Sequence, residues 1–397
     1  MVNLETADKA LKSVYLGVVT EQLNTAVNPL LTKIEQTSSD VWGKDIIKLV
    51  SYGLNGGVGA GDETGSLPMA AGNNYAQYKV ELKNLYGSIE ISDKAIRASQ
   101  SNVGAFVNLL NAEMEGLLKA SKYNLGRMLY GDGNGVLALV ATASATATTS
   151  ITLSSVKKVA IGMVIDIFNK DGEKILAQAR IIDVDRVAKI IKIDKQVSAV
   201  STTDYITIQN SKGFELTGLG AIFGTNDIYG LARANNTWLN PYKKDLNNAA
   251  LDMGTIQDAI DYIDETTGSA VNFITCAYDV KKAYIKNLSA NRLNVDYMTL
   301  DGGFKALSYS GIPLVSDKFI EDGEMYLLNT DDFKMHQLCD WRWLEGDNGN
   351  VIKQKLGNPT YTATLVKYAD IVCDRPCGQA KLSGIKCDWF YAWAYID

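Results

Sequence analysis

Few residues in this chain are of a type and spacing that would support chemistry. His336 is the one histidine, so a Ser–His–Asp or Cys–His relay would have to be built on it. It lies in Lys334-Met-His-Gln-Leu338, which has no nucleophile elbow. His336 with Cys339, and Cys373 with Cys377, supply four zinc-type ligands. Neither pair has the Cys-x-x-Cys knuckle of a structural zinc site, and separate thiols are the better reading. Gly57-x-Gly59-x-Gly61 precedes no evident helix and has no Lys-Ser/Thr nearby, so it satisfies neither a dinucleotide fingerprint nor a phosphate loop. Asp183 and Asp185 alternate on a predicted strand and share a face, but they fit a solvated face as well as a hydrolase pair, as does Asp331-Asp332. Gly131-Asp-Gly-Asn-Gly135 lacks the later ligands of a calcium loop. These observations point to no catalytic residue, no cofactor and no metal.

The elements around these residues are those of a globular protein. The 397 residues are too many for a single core and suggest two or three domains. Apolar residues make up 46% and charged residues 21%, which is ordinary for a packed protein. The net charge is −6, with Lys and Arg interspersed among Asp and Glu. A protein that grips nucleic acid needs those cations clustered; if this one encloses DNA, it should do so without tight binding. Met1 to Ala10 has no apolar core of signal-peptide type, and no run approaches the roughly 20 apolar residues of a membrane helix. The expected location is the cytosol of the cell that makes the chain, where five cysteines, an odd number, fit reduced thiols.

Along the chain, residues 1–44 form an arm in which Leu11, Val14, Tyr15, Val18, Val19 and Leu23 predict a helix; an ordinary first helix is the alternative. Residues 45–91 predict a long β-hairpin. Its returning strand places Tyr78, Val80 and Leu82 on one face and Lys79, Glu81 and Lys83 on the other. Its tip, Gly53 to Gly72, is too glycine-rich to hold itself rigid without another molecule. From Ser92 or Asp93 the steps Val103, Phe106, Val107, Leu110, Met114, Leu117, Leu118, Ser121, Leu125 and Met128 predict one long amphipathic helix, ended by the turn formers of 131–135. Ala141 to Ser150 reads as a linker, and 141–215 as a small inserted β-domain, barrel or sandwich. Residues 236–359 alternate helix and strand as a mixed α/β domain, and 360–385 hold another alternating strand. The last stretch, 386–397, is an aromatic tail with Trp389, Phe390 and Trp393. It either marks a contact or folds back on its own core.

This order of elements resembles the major capsid proteins of tailed bacteriophages, of the Hong Kong ninety-seven type. The local texture agrees from Tyr78 through Ser92, into Asp93-Lys-Ala-Ile-Arg97 and on to Leu129-Tyr-Gly-Asp-Gly133. It agrees again at Gly311-Ile-Pro-Leu-Val315 and Glu324-Met-Tyr-Leu-Leu328. The resemblance implies an α+β fold with an N-terminal arm, an extended β-hairpin loop and a long spine helix. The peripheral domain would be 92–140, continued at 216–235 and 360–385, and the axial α/β domain would be 236–359. It also implies a structural subunit that builds pentamers and hexamers, and from them an icosahedral shell around double-stranded DNA. The shell would be assembled in the host bacterial cytoplasm and would have a portal among its partners. Because the arm begins almost at Met1, a separate scaffolding protein is expected. The inserted β-domain departs from the pattern and would decorate the shell or bind a surface such as a sugar. An encapsulin-type nanocompartment shares the fold and is the alternative among structural proteins; a cytosolic α/β enzyme is the alternative outside them.

The assembly contacts expected on the loop and tail are Asp62, Glu63, Lys79, Glu81, Lys83, Trp389, Phe390 and Trp393. A flexible hairpin becomes ordered by lying across a neighbour, and alternating charge there favours correct register. Reversing the charges of Asp62 and Glu63 should block or misdirect assembly; normal shells from that variant in electron micrographs would refute their role.

Overall fold

The computed structural model describes residues 28–38, 41, 45–94, 103–290, 297–299, 305–345, 349 and 351–386. The helix expected within 1–27 and the aromatics Trp389, Phe390 and Trp393 lie outside these residues. In chain order, β1 (Glu35–Thr37), β2 (Asp45–Tyr52), β3 (Asn74–Glu81) and β4 (Lys83–Ser92) precede the helix α1 (Val103–Met128). The next section holds β5 (Val136–Leu139), β6 (Thr148–Thr152), β7 (Val164–Phe168), β8 (Lys174–Asp185), β9 (Ile190–Val197) and β10 (Tyr205–Ile208). Then come β11 (Tyr242–Ala250), α2 (Met253–Thr267), β12 (Phe273–Cys276), α3 (Tyr278–Ala290), β13 (Tyr297–Thr299), β14 (Lys305–Tyr309), β15 (Ile312–Ser316) and β16 (Met325–Leu328). The chain closes with β17 (Phe333–Trp343), β18 (Lys353–Gln354), β19 (Thr360–Cys373) and β20 (Ala380–Lys386).

The spine is α1. At 1.5 Å per residue it is about 39 Å long. Met114, Leu118, Ser121, Leu125 and Met128 are buried at steps of four and three, as the amphipathic pattern predicts. The helix lies against a sheet whose centre is β19. On one side β19 pairs antiparallel with β4 over ten residues, from Thr360 opposite Ser92 to Ala369 opposite Lys83. On its other side it pairs with β17, which carries β1 in parallel at its outer edge. Leu85, Ile89 and Ile91 of β4 are buried beneath the helix. Gly87 belongs to the same row, and a Cβ there would sit 2.9 Å from the Leu117 side chain of α1. A glycine at this position therefore lets helix and strand close together.

The axial sheet has the order β11-β20-β16-β12-β15-β14-β13. Helices α2 and α3 join parallel strands across it, the usual α/β arrangement. The start of α2 is set by Asp252, whose carboxylate accepts the Gly254 N–H, and its end by Gly268 at φ 61°. Two strands lie elsewhere than the sequence division expects. Residues 333–343, expected in the axial section, form β17 of the peripheral sheet; residues 380–385, expected in the peripheral section, form with Lys386 the strand β20 between β11 and β16.

The insertion is a barrel. Its strands run β5-β10-β7-β8-β9-β6, and a bridge from Val140 to Leu153 joins the two ends and closes the sheet. It starts at Val136 rather than at Ala141, and residues 140–147, expected as a linker, connect β5 to β6 inside the barrel. Leu137, Ile151, Ile165, Ile181, Ile193 and Ile206 are among a core that is separate from that of the rest of the chain.

Buried charge ties these parts together. Arg127, in the last turn of α1, forms a two-pronged pair with the Glu215 carboxylate, and both side chains are fully buried. Arg233 donates to the carbonyls of Asn226 at 2.7 Å, Leu239 at 2.6 Å, Ala221 at 2.9 Å and Ile222 at 2.8 Å, and so gathers the loop after the barrel around itself. Removing one partner of a buried ion pair strands the other charge. R127A is expected to cost about 3–5 kcal/mol in urea denaturation, whereas R127M/E215L, which removes both charges, should cost less than half as much.

Candidate assembly surface

The hairpin β2–β3 pairs Asp45 with Glu81 through to Tyr52 with Asn74, and its two faces have opposite fates. The inner face is bound to the protomer. Ile46, Tyr78 and Val80 are buried there. Tyr78 lies against Tyr229, ring centres 4.8 Å apart, and parallel to Trp238 at 6.0 Å; Tyr52 stacks on the same indole at 4.9 Å. Burial, more than the neighbouring Cys373 and Asp374, pushes the Tyr78 phenol far above its ordinary range, so it remains protonated. Lys48 reaches both oxygens of Asp374, at 2.6 and 2.7 Å, and the Lys79 N–H donates to the Tyr229 carbonyl at 2.9 Å.

The outer face and the tip touch nothing comparable. Ile47, Leu49 and Tyr75 project from the outer face. At the tip Leu54, Val58, Leu67 and Met69 are 91%, 89%, 90% and 86% exposed. Side chains of this kind, left together in water, mark a contact surface. The tip is shaped by a few polar contacts: the Asn55 side-chain oxygen Oδ1 accepts the Gly57 N–H, and the Asn55 side-chain Nδ2 donates to Asn73 Oδ1, both at 2.9 Å.

The structure separates the expected contact residues into groups. Asp62 and Glu63 are at the exposed tip, where the Asp62 carboxylate accepts the Glu63 N–H at 2.9 Å. Lys79 and Glu81 are exposed on β3, and Lys79 pairs with Asp45 at 3.2 Å. Lys83 does not continue their strand: the chain breaks at Leu82, and Lys83 opens β4 in the peripheral sheet. Sequence reasoning passed over Leu54, Val58, Leu67 and Met69, although four apolar residues in a glycine-rich run of turn formers were the available signal. The aromatic anchors Tyr229 and Trp238 gave no signal, being some 150 residues away in sequence.

The residues considered for chemistry are dispersed. Among the described residues no group of three or more His, Cys, Asp or Glu is placed to hold a metal, and no helix is long and apolar enough to cross a membrane. Asp183 pairs with Lys192 at 3.3 Å, while Asp185 accepts the N–H groups of Val187 and Ala188 in the next turn. The Cys373 thiol is fully buried, and that burial pushes it well above its ordinary range. An open groove of about 610 Å³ runs under the base of the hairpin, lined in part by Lys79, Glu81, Lys83, Asp132, Asp227 and Asp370. Its one fully buried acid, Asp370, is engaged by Thr217 N at 2.7 Å, Thr217 Oγ1 at 2.8 Å and Ile371 N at 2.8 Å.

No protein-family model and no curated protein matches the sequence. Solved structures do. A chain of the cyanophage A-1(L) capsid asymmetric unit aligns over 92% of this chain and 93% of its own, at 13% identity and a TM-score of 0.54. The SrpI encapsulin of Synechococcus elongatus PCC 7942 aligns over 93% and 92% (9% identity, TM-score 0.49), and the capsid of Myoviridae phage XM1 over 91% and 92% (10% identity, TM-score 0.45). The likeness to the cyanophage capsid chain shows that this chain has the tailed-phage capsid fold.

Asp370 carries a pH prediction. Burial raises its carboxyl from the ordinary 3.8 to about 6, although Thr217, Ile371 and Lys83 all favour the charged form. A raised carboxyl means that folding disfavours the ion. Its contribution is therefore most favourable below about pH 4 and is lost as pH rises through 6, by roughly 3 kcal/mol. D370N should lack this loss, so its stability relative to wild type should rise by about that amount between pH 4 and pH 8. Urea midpoints of the two proteins across that range would measure it, and a constant difference would show that Asp370 does not titrate in this way.

Proposed function

We propose that this chain is a structural subunit of a tailed-phage capsid. In this reading it assembles with copies of itself, as pentamers and hexamers, into an icosahedral shell around double-stranded DNA in the cytoplasm of a bacterial host. The observation that carries the reading is the fold shared with the cyanophage capsid chain along nearly the whole length of both. Its physical support is the hairpin, anchored on one face and uncovered on the other.

Apolar side chains are also exposed on the body, at Tyr86 of β4, Leu338 of β17 and Leu356. Such positions give the hairpin of a neighbouring copy somewhere to lie. Asp62 and Glu63 at the tip then meet a neighbour's cations, and Trp389, Phe390 and Trp393 add an aromatic contact. Glu81, Lys79 and Lys83 lie at the hairpin base, where charge fixes register more than affinity. The net charge of −6 suits a lumen that encloses DNA and later releases it. A scaffolding protein and a portal complete the set of partners. The buried ionisable groups described above serve the fold, and catalysis has no part in this reading.

Electron microscopy with light scattering, on the protein alone and with a scaffolding protein, tests the proposal. Closed shells, tubes or capsomer rings are expected. A monomer or small dimer under every condition would overturn it, and shells that hold an enzyme instead of DNA would indicate a nanocompartment. Replacing Leu54, Val58, Leu67 and Met69 together by Ser should abolish shells while leaving the thermal midpoint within about 2 °C, because these side chains touch little in the protomer.

A further inference from the structure

The inserted barrel is joined to the rest of the chain by two adjacent segments that form a stalk. The Gly213 N–H donates to the Asn134 carbonyl at 2.9 Å, and the Glu215 N–H to that of Gly133 at 3.3 Å. Gly133, Gly135 and Gly213 all have positive φ, between 75° and 86°. A stalk of this composition turns easily and would not by itself fix the barrel's direction. A second attachment does so. Between Val156 and Val159, both buried in the barrel core, lie Lys157 and Lys158. The two valines hold this loop, so the lysines lose little further freedom when they make contacts.

Those contacts cross to the axial section. Lys157 Nζ lies 2.7 Å from the Ile320 carbonyl and 2.5 Å from an Asp322 carboxylate oxygen, and Lys158 Nζ lies 3.6 Å from Glu321. The same axial loop rests on the spine helix. Phe319 meets the Tyr123 ring edge-on at 5.0 Å and closes on Gly126, where a Cβ would stand 3.0 Å from the Phe319 ring. Lys318 Nζ sits over both rings, at 4.9 and 4.8 Å. Tyr123 in turn donates its hydroxyl to the Lys157 carbonyl at 3.3 Å. Spine helix, axial loop and barrel loop therefore meet at one point.

We propose that the inserted barrel is a clamp, holding the axial loop 317–322 against the spine helix through Lys157 and Lys158. This role is internal to the protomer and does not depend on the shell reading. It adds to the shared core of spine and axial section a polar restraint on the loop through which the two meet. A closed barrel suits this task because it presents no free strand edge to a neighbour.

Hydrogen exchange on the unassembled full-length chain tests the clamp. K157E/K158E should leave exchange in the barrel core unchanged and speed exchange in 317–322, and in the facing turn of α1, on the order of tenfold. Adding E321K and D322K to that variant should return most of the protection, since the pairs then re-form with reversed sign. K157M/K158M keeps the stems while removing the charges, and should shift the same amides in the same direction by a smaller factor, which guards against a reversal variant that fails to fold. Raising the salt concentration should narrow the gap between wild type and both variants. Wild-type exchange rates across 317–322 in the folded variants would overturn the proposal, and so would faster exchange in K157E/K158E that the E321K/D322K swap leaves unchanged.

Discussion

The hairpin β2–β3 is a sheet of two strands, and two strands in water cannot cover both of their own faces. One face is taken by the protomer, through Ile46, Tyr78 and Val80. The other carries Ile47, Leu49 and Tyr75 and leads to four nearly bare apolar side chains at the tip. Each such side chain gains about 1.5–3 kcal/mol on burial, while two bodies lose roughly 4–15 kcal/mol of freedom when they associate. A single hairpin contact therefore falls near balance. The same contact repeated around closed rings does not, because after the first contact much of that freedom has already been lost. On the proposed reading, an uncovered hairpin face accounts both for assembly and for units that remain separable until many join.

The inner anchor must be correspondingly firm. It combines two kinds of interaction. The Tyr52–Trp238–Tyr78–Tyr229 group supplies apolar area and ring geometry, and the Lys48–Asp374 pair supplies direction. The pair alone, with both side chains about 30% exposed, would contribute little. It matters because Asp374 follows β19, the strand at the centre of the peripheral sheet, so the hairpin is aligned to the strand that organises that sheet. The deeply buried charges follow the same logic. Arg127, Arg233, Lys367 and Asp370 each have specific partners, and those partners join segments distant in sequence: Glu215 to the spine, Asp340 and Gln337 to β19, Thr217 to β19. Polar groups so engaged specify a unique arrangement of the loops around them.

The sequence was most legible where a single period decides the structure. The steps from Met114 to Met128 determine which face of α1 is buried, and the alternation in 360–373 marks β19 as a strand. Turn chemistry was legible too, in the glycine run of the tip and in the turn formers of 131–135 that follow α1. Sheet membership was not. Strands β17 and β20 each carry patterns that fit either sheet; what assigns them is pairing across long loops, with β19 for β17 and with β16 and β11 for β20. The break at Leu82 was passed over although the pattern carries it: Tyr78, Val80 and Leu82 are apolar at even positions, Leu85, Ile89 and Ile91 at odd ones, and the phase changes at Lys83-Asn84, where pairing passes from β2 to β19. In the candidate site the charged residues drew notice by type, while the apolar tip residues, which have the larger effect when covered, read as ordinary loop.

The barrel shows how a fold of this order tolerates a large insertion. It enters after the turn formers of 131–135 and returns at Glu215, where the buried pair with Arg127 fixes the returning chain to the helix it left. Entry and exit are thus bonded to each other and to the spine, and the main core is undisturbed by whatever lies between them. The separate core of the barrel requires nothing from its host. Its remaining freedom is rotation about the glycine stalk, and that is what the contact of Lys157 and Lys158 with Glu321 and Asp322 removes. Since those pairs are partly exposed, the restraint is one that salt or a competing surface can loosen without unfolding either core.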